Sequence, residues 1–104
     1  MEVFYSFNQV PENYSGLCYI ATEGCKCWYK NGDFHRNNNP AVVWDTGREE
    51  WYQNGECHRL NGFAIIDVVV KINVYYIHNK MLHPDQYEHH PLVLNYKLEQ
   101  ILDL

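Results

Sequence analysis

The chain has no long apolar run and few positive charges. No segment approaches a length of about 18 consecutive apolar residues, which a membrane span needs. Residues 1–20 also lack a basic start followed by an apolar run, the pattern of a secretory signal. We therefore expect a soluble, cytoplasmic protein without a membrane partner. The 8 Lys and Arg stand against 13 Asp and Glu and form no cluster, so nucleic acid is not an expected partner.

The sequence also lacks the short motifs of common cofactor sites. It has no phosphate-binding glycine loop and no dinucleotide fingerprint, so we expect no cofactor. Cys57 precedes His58, but neighbours on a strand point apart, and neither a glycine-framed elbow nor an orienting acid accompanies them. We therefore expect no catalytic residues and predict that the protein is not an enzyme.

A nine-residue phrase, in contrast, is present twice. "WYKNGDFHR" at 28–36 and "WYQNGECHR" at 51–59 share Trp, Tyr, Asn, Gly, His and Arg at a spacing of 23 residues. The same spacing aligns Tyr5 with Trp28. A two-residue insertion then places "YIHNKMLHP" at 76–84 under the second copy, with Asn79 and His83 retained.

Four repeat units therefore cover most of one domain, 1–104. Their approximate bounds are 5–27, 28–50, 51–75 and 76–104. The outer two are degraded, as terminal repeats usually are because each has a neighbour on one side only. This asymmetry favours a linear stack.

The turn residues predict an all-β fold made of these units. Asn31-Gly32 and Asn54-Gly55 are typical of two-residue type I′ hairpins, since both turn positions need positive φ. Asp45-Thr46-Gly47 predicts a second turn. Each unit of about 23 residues is then a short antiparallel meander in an open sheet. At 67–72 "DVVVKI" replaces the glycine turn, and the sheet either continues or changes partner there.

The segment 96–104, "YKLEQILDL", has a different periodicity. Leu98, Ile101 and Leu102 lie at helical spacing. We expect a short C-terminal helix whose apolar residues cap the last open edge of the sheet.

The phrase W-Y-x-N-G-x-x-H-R followed by "NPAVVWDTG" resembles the MORN-repeat-variant units that occur in tandem in viral, phage and bacterial proteins, including antitoxin-like members. The resemblance covers residues 28–66 well and departs from the family at Phe63, where Pro is usual. It implies a single layer of stacked antiparallel hairpins. It also implies that the protein binds a partner and does not carry out one particular chemistry.

The residues that both copies of the phrase share are interpreted as scaffold. His35, His58 and His83 recur once per unit, whereas a catalytic histidine belongs to one convergent site. We expect each ring to stack on, or hydrogen-bond with, an aromatic residue of the neighbouring unit. The large aromatic residues at the first position of each unit are expected to form a stacked core. These residues are Tyr5, Trp28, Trp51 and Tyr76.

The four cysteines are predicted to be free thiols because no signal peptide accompanies them. In the 23-residue alignment Cys25 and Cys57 occupy the positions of Arg48 and Phe34, which predicts a surface location. Cys25 and Cys27 should point to the same face, too far apart for a tetrahedral ion. We expect no metal site.

Positions that differ between units are free to contact a partner. Aromatic anchors with acidic surroundings suit protein recognition, since a few buried rings supply most of the energy and charges set selectivity. A solvated acidic face with incidental aromatics is the alternative interpretation. The candidates are Phe34, Trp44 and Tyr87, with Asp33, Asp45, Glu49, Glu50, Glu56, Asp85 and Glu88.

The sequence therefore supports two functional hypotheses. In the first, the protein binds and blocks a host protein, and the resemblance implies a phage, viral or antitoxin-like inhibitor. In the second, it binds a nucleotide-like small ligand through Tyr29, Tyr52, Arg36 and Arg59. A homodimer is compatible with both, because a single-layer sheet exposes one face and two edges.

Overall fold

The computed structural model describes residues 1–103, which form an open, mostly β structure of eleven strands followed by two short helices. The strands are β1 (Glu2–Phe4), β2 (Gly16–Ile20), β3 (Cys25–Lys30), β4 (Asp33–Phe34), β5 (Val42–Trp44), β6 (Glu49–Glu50), β7 (Tyr52–Gln53), β8 (Glu56–Cys57), β9 (Ile65–Asp67), β10 (Ile72–Ile77) and β11 (Lys80–Leu82). The helices are α1 (Pro84–Glu88) and α2 (Pro91–Leu102).

Nine strands form one sheet in the order β1-β2-β3-β5-β6-β9-β10-β11, with β4 paired to β3, and β7 and β8 form a separate hairpin. All pairs are antiparallel except β1 with β2. The sheet does not close, since β1 and β11 lie at its two ends. The predicted all-β class, the open sheet and the C-terminal helix are confirmed.

Two hairpin tips lie where the Asn-Gly pairs predict them. Asn31 and Gly32 have φ of 51° and 85°, and Asn54 and Gly55 have φ of 49° and 82°. Positive φ at both turn positions matches the type I′ turn. The third tip consists of His78 and Asn79, with φ of 47° and 66°.

The register of the third hairpin corrects the sequence alignment. Tyr76 pairs with Met81 as Tyr52 pairs with Cys57, so these positions are 24 residues apart. Tyr75, and not Tyr76, is therefore the equivalent of Trp51, and the predicted two-residue insertion is wrong. The single inserted residue lies in the turn between β9 and β10.

That turn also settles the path of the chain at 67–72. β9 and β10 form an antiparallel hairpin. The Asp67 carboxylate accepts hydrogen bonds from the backbone N–H groups of Val69 and Val70, at 3.0 and 3.2 Å. A carboxylate therefore stabilises the turn that glycine forms elsewhere.

The first segment of the chain does not form the hairpin that the alignment predicts. β1 runs parallel to β2, and Asn8 lies in a 3-10 turn, Phe7–Gln9, and not at a hairpin tip. Tyr14 occupies the place that Phe34 has one unit later. Its carbonyl accepts from Gly32 N at 2.8 Å, as the Phe34 carbonyl accepts from Gly55 N at 2.9 Å.

The sheet has two faces with separate apolar clusters. Cys27, Val42 and Glu50 are successive cross-strand partners and therefore share one face, which we call the inner face. The cluster of Cys18, Ile20, Cys25, Cys27 and Val42 lies on it and is covered by the N-terminal residues Phe4, Phe7, Val10 and Tyr14. Trp28, which alternates with Cys27, lies on the opposite, outer face.

The second cluster joins the helices to the outer face near the end of the sheet. It consists of Ile77, Leu82, Tyr87 and Val93, with Leu60, Tyr75 and Leu92 against it. Val93 is fully buried, whereas Leu98 is 53% exposed, and Ile101 and Leu102 are also exposed. The helix thus packs through its first turn, and the expectation that these three residues cap the sheet edge is wrong. Residue 104 lies outside the described residues.

Neither helix in the described part of the chain is long and apolar enough to cross a membrane.

Candidate functional site

An open cavity of about 530 Å³ lies on the inner face beside the first apolar cluster. Three further cavities have volumes of about 240, 270 and 300 Å³. We call the cavity of about 530 Å³ the aromatic groove. Its walls include Phe7, Tyr29, Phe34 and Trp44, with the carboxylates of Asp33 and Glu50.

The first Asn-Gly hairpin builds one wall of the aromatic groove. The two-residue turn sets Phe34 directly opposite Tyr29 on the paired strands, and their ring centroids are 5.0 Å apart. Phe34 also lies 5.2 Å from the ring of Tyr52. In the second copy of the phrase Cys57 occupies the equivalent position opposite Tyr52. The two copies therefore differ at the residue that forms this wall of the groove.

The N-terminal segment supplies the other wall. Gly32 packs so closely on this segment that a Cβ atom there would lie 1.8 Å from the carbonyl oxygen of Glu12. This close approach brings Phe7 against Phe34, with ring centroids 6.2 Å apart in an edge-on arrangement. Phe7 was not among the predicted site residues. Its only signal in the sequence is its place among the apolar residues at the start of the first unit.

Glu50 connects the aromatic groove to a polar network. It is 8% exposed and accepts hydrogen bonds from Trp44 Nε1 at 3.0 Å, Arg48 Nε at 2.8 Å and the Tyr52 hydroxyl at 2.9 Å. The hydrogen bond to Glu50 raises the pKa of Arg48 above its usual value. Burial, with the Glu50 charge, raises the pKa of Tyr52, so that its hydroxyl stays a donor. Glu50 thus fixes the Trp44 ring from a buried position, and its contact with a partner stays a prediction.

Asp33 has a different environment. It is exposed at the rim of the groove, next to the turn, and it forms no ion pair with any residue in 1–103. Its charge is therefore available to a bound molecule.

The residues predicted to bind a small ligand are not brought together. Tyr29 and Tyr52 lie on the inner face. The guanidinium of Arg36 lies 3.8 Å from the centroid of the Trp28 ring on the outer face, and that of Arg59 lies 3.9 Å from Trp51. Both arginines also donate to carbonyl groups, of Pro40 at 3.2 Å and Phe63 at 2.9 Å. Their hydrogen-bonding groups already stabilise the sheet.

These stacks also correct the predicted aromatic core. Trp28 and Trp51 are half-buried beneath arginines, Tyr76 is half-buried, and Tyr5 is exposed. The fully buried side chains are instead small or aliphatic, and the largest of them are Ile20, Val42 and Val93.

The repeated histidines connect neighbouring hairpins. Nδ1 of His35 accepts from the backbone N–H of Asn54, and Nδ1 of His58 accepts from that of His78, both at 3.0 Å. Each ring therefore binds the backbone at the tip of the next hairpin. The predicted partner was an aromatic side chain of the neighbouring unit. Burial and repulsion from His78 lower the pKa of His58. His83 lies instead at the start of α1, where its backbone N–H donates to Gln86.

The other predicted partner residues lie away from the groove. Tyr87 is buried in the second cluster, stacks on Tyr75 at 4.0 Å and donates to the carbonyl of Arg59 at 2.8 Å. Tyr87 is therefore not an exposed ring, and its role as a partner anchor stays a prediction. Asp85 and Glu88 are exposed on α1, Glu49 is half-buried on the outer face, and Asp45 accepts from the Tyr19 hydroxyl.

The cysteines are free, as predicted, but all four are buried. The expected surface location of Cys25 and Cys57 is therefore wrong, and the thiols of Cys25 and Cys27 are in contact, with their sulfurs 3.6 Å apart. Burial raises the pKa of Cys18 to about 11 and that of Cys57 to about 12. At neutral pH these groups are thiols and weak nucleophiles. No group of three or more potential metal ligands is found in residues 1–103.

Comparisons with known protein families, with curated proteins and with solved structures found no match for this chain.

Proposed function

We propose that the protein is a non-enzymatic binding module that holds a partner protein in the aromatic groove. One observation carries the proposal: Phe34 and Trp44, which the sequence suggests as anchors because they differ between the units, both line this one open cavity. Rings in a pocket supply a large part of the energy of protein recognition. The hydrogen bond from Trp44 to Glu50 holds one ring in place, which reduces the entropy lost on binding.

The resemblance to MORN-repeat variants adds a biological setting to this proposal. It suggests a phage, viral or antitoxin-like inhibitor that blocks a host protein in the cytoplasm. The acidic composition, with a net charge of −5, suits a target with a basic groove.

The proposal is tested by capture of partners from a bacterial host lysate with the tagged full-length chain. Phe34→Ala removes a groove ring, and Lys26→Ala changes an exposed residue of the outer face as a matched control. We expect one stoichiometric partner with the wild type and with Lys26→Ala, and its loss with Phe34→Ala. Circular dichroism of each variant establishes that it is folded. A partner retained by folded Phe34→Ala would refute the proposal.

A small ligand is the second candidate, because the volume of the groove falls within the range of small-molecule sites. In this hypothesis Tyr29 contacts the ligand, and Arg36 and Arg59 do not. Native mass spectrometry of the same sample separates the two hypotheses. A mass excess that denaturation removes, without a captured protein, would favour the small ligand.

A further inference from the structure

We infer that the aromatic groove binds the side chain of an arginine that the partner protein presents. This inference rests on the proposed function and specifies the chemistry of the partner at the point of contact. It follows from the shape, the rings and the charges of the groove.

The rings provide faces on which a planar cation stacks. Tyr29, Phe34 and Trp44 surround the groove. A guanidinium is planar, weakly hydrated and stacks on aromatic rings more readily than an ammonium does. The same chain uses this contact twice on its outer face, where Arg36 lies over Trp28 and Arg59 over Trp51. In the groove, rings are present, but no arginine of the described chain occupies them.

The charges of the groove are negative. Asp33 at the rim is without an ion-pair partner among residues 1–103. Glu50 and Asp67 both contact Arg48, at 2.8 and 3.5 Å, so two carboxylates and one guanidinium leave one net negative charge beside Trp44. No Lys or Arg is among the groove residues. A cation that enters the groove therefore meets attraction on both sides.

Asp33 gives the selectivity for arginine. Its carboxylate forms no ion pair within residues 1–103, although Lys30 stands opposite it on the paired strand. It can therefore accept the paired N–H groups of a guanidinium in a bidentate contact, which an ammonium does not match. Glu50 contributes charge but few hydrogen bonds, because its oxygens already accept from three donors. We therefore assign Asp33 to direct contact with the arginine and Glu50 to positioning of Trp44.

The test uses the ¹⁵N-labelled full-length protein and three short capped peptides, Ala-Arg-Ala, Ala-citrulline-Ala and Ala-Lys-Ala. The readout is the indole N–H signal of Trp44, which is identified by its loss in Trp44→Phe. Citrulline keeps the shape of arginine without its charge. We expect a saturable shift with the arginine peptide. The citrulline and lysine peptides are expected to bind at least roughly tenfold more weakly.

Two variants with the same change in net charge locate the contact. Asp33→Asn is expected to weaken arginine binding roughly tenfold. Glu49→Gln, on the outer face, is expected to change it by less than about twofold. The inference is overturned by no saturable Trp44 shift, by equal affinity for citrulline or lysine, or by equal effects of the two variants. If capture of the protein partner still requires Phe34, such a result overturns the arginine assignment alone.

Discussion

At the scale of single residues, Glu49 and Glu50 show how neighbouring positions acquire different roles. Both are glutamates on the short strand β6, but the alternation of the strand turns Glu50 toward the buried inner face and Glu49 toward the outer face. Glu50 is stable there because three donors converge on its carboxylate.

Replacement of Glu50 by Gln is therefore expected to be costly. A Gln side chain keeps the volume but removes the negative charge that Arg48 contacts at 2.8 Å, and it replaces one of the two acceptor oxygens by an amide group that only donates. We expect the free energy of unfolding, from urea denaturation, to fall by about 1–3 kcal/mol. Glu49→Gln is the control and should change it by less than about 0.5 kcal/mol. Equal losses in the two variants would contradict the network.

His58 gives the protein a predictable dependence on pH. Its neutral Nδ1 accepts the backbone N–H of His78, and the two rings lie 4.3 Å apart. Protonation destroys this acceptor and places a charge against the neighbouring ring. The folded state accordingly has a lowered pKa at His58, from burial first and then from His78. The stabilising contribution of His58 is complete above its unfolded pKa of about 6.5 and is lost as the pH falls through the folded value.

We expect the free energy of unfolding to decrease as the pH is lowered from 7.5 toward 5, with a smaller decrease in His58→Gln. Glutamine retains an acceptor without titrating in this range. Urea denaturation at several pH values measures both slopes. Identical slopes would show that His58 does not carry the effect.

At the scale of elements, the sequence predicts those features that local chemistry determines. The two Asn-Gly tips and the helical spacing near residue 98 lie in the expected elements. The third tip was displaced by one residue because an Asp67 carboxylate turn replaces a glycine turn and adds a residue. The parallel pairing of β1 was not predictable, since it depends on packing of the N-terminal segment over the completed inner face.

The same distinction applies to the candidate site. Phe34 and Trp44, which were predicted because they differ between the units, both line the candidate groove. Tyr87 and Glu50 differ in the same way, but both are buried. Tyr87 is buried where α1 packs on the second cluster, and Glu50 is buried among its three donors. A sequence comparison between units identifies residues without a repeated structural role. It does not determine their exposure, because exposure depends on elements distant in the chain.

The hairpin between β3 and β4 is expected to tolerate no side chain at Gly32. This residue has a φ of 85°, and an added Cβ would meet the Glu12 carbonyl. Gly47 is the matched control: its φ is 93°, but its nearest neighbour would be 4.0 Å away. Gly47→Ala should cost about 1–2 kcal/mol for backbone strain alone. Gly32→Ala should lower the free energy of unfolding by at least about 1 kcal/mol more than Gly47→Ala does. It should also weaken the contact of the N-terminal segment with the hairpin. Equal thermal stabilities of the two variants would contradict the close approach.

At the scale of the whole molecule, the sheet is stabilised by two separate apolar clusters on its opposite faces. The first contains Cys18, Cys25 and Cys27, whereas Cys57 lies on β8, in the separate hairpin of β7 and β8. The four thiols thus report on packing across much of the chain.

We expect all four thiols to be unreactive toward a disulfide reagent at pH 8 in the native protein and to react together on unfolding. Burial removes them from solvent and raises their pKa values, so little thiolate is present. The time course of the released chromophore measures this. Rapid reaction of one thiol in native buffer would show that its part of the sheet opens separately, and a Cys57→Ala variant identifies whether that thiol is Cys57.

The contact between Gly32 and the N-terminal segment also fixes an order of events during synthesis of the chain. Phe7 emerges from the ribosome before any strand of the hairpin that it packs against. Its ring partner Phe34 lies on β4, so Phe7 cannot reach its place against this hairpin until residue 34 has followed it. The later strands pair mainly with neighbours in the chain and can be added one hairpin at a time. The wall of the groove that contains Phe7 is therefore translated first but assembled only after the hairpin wall exists.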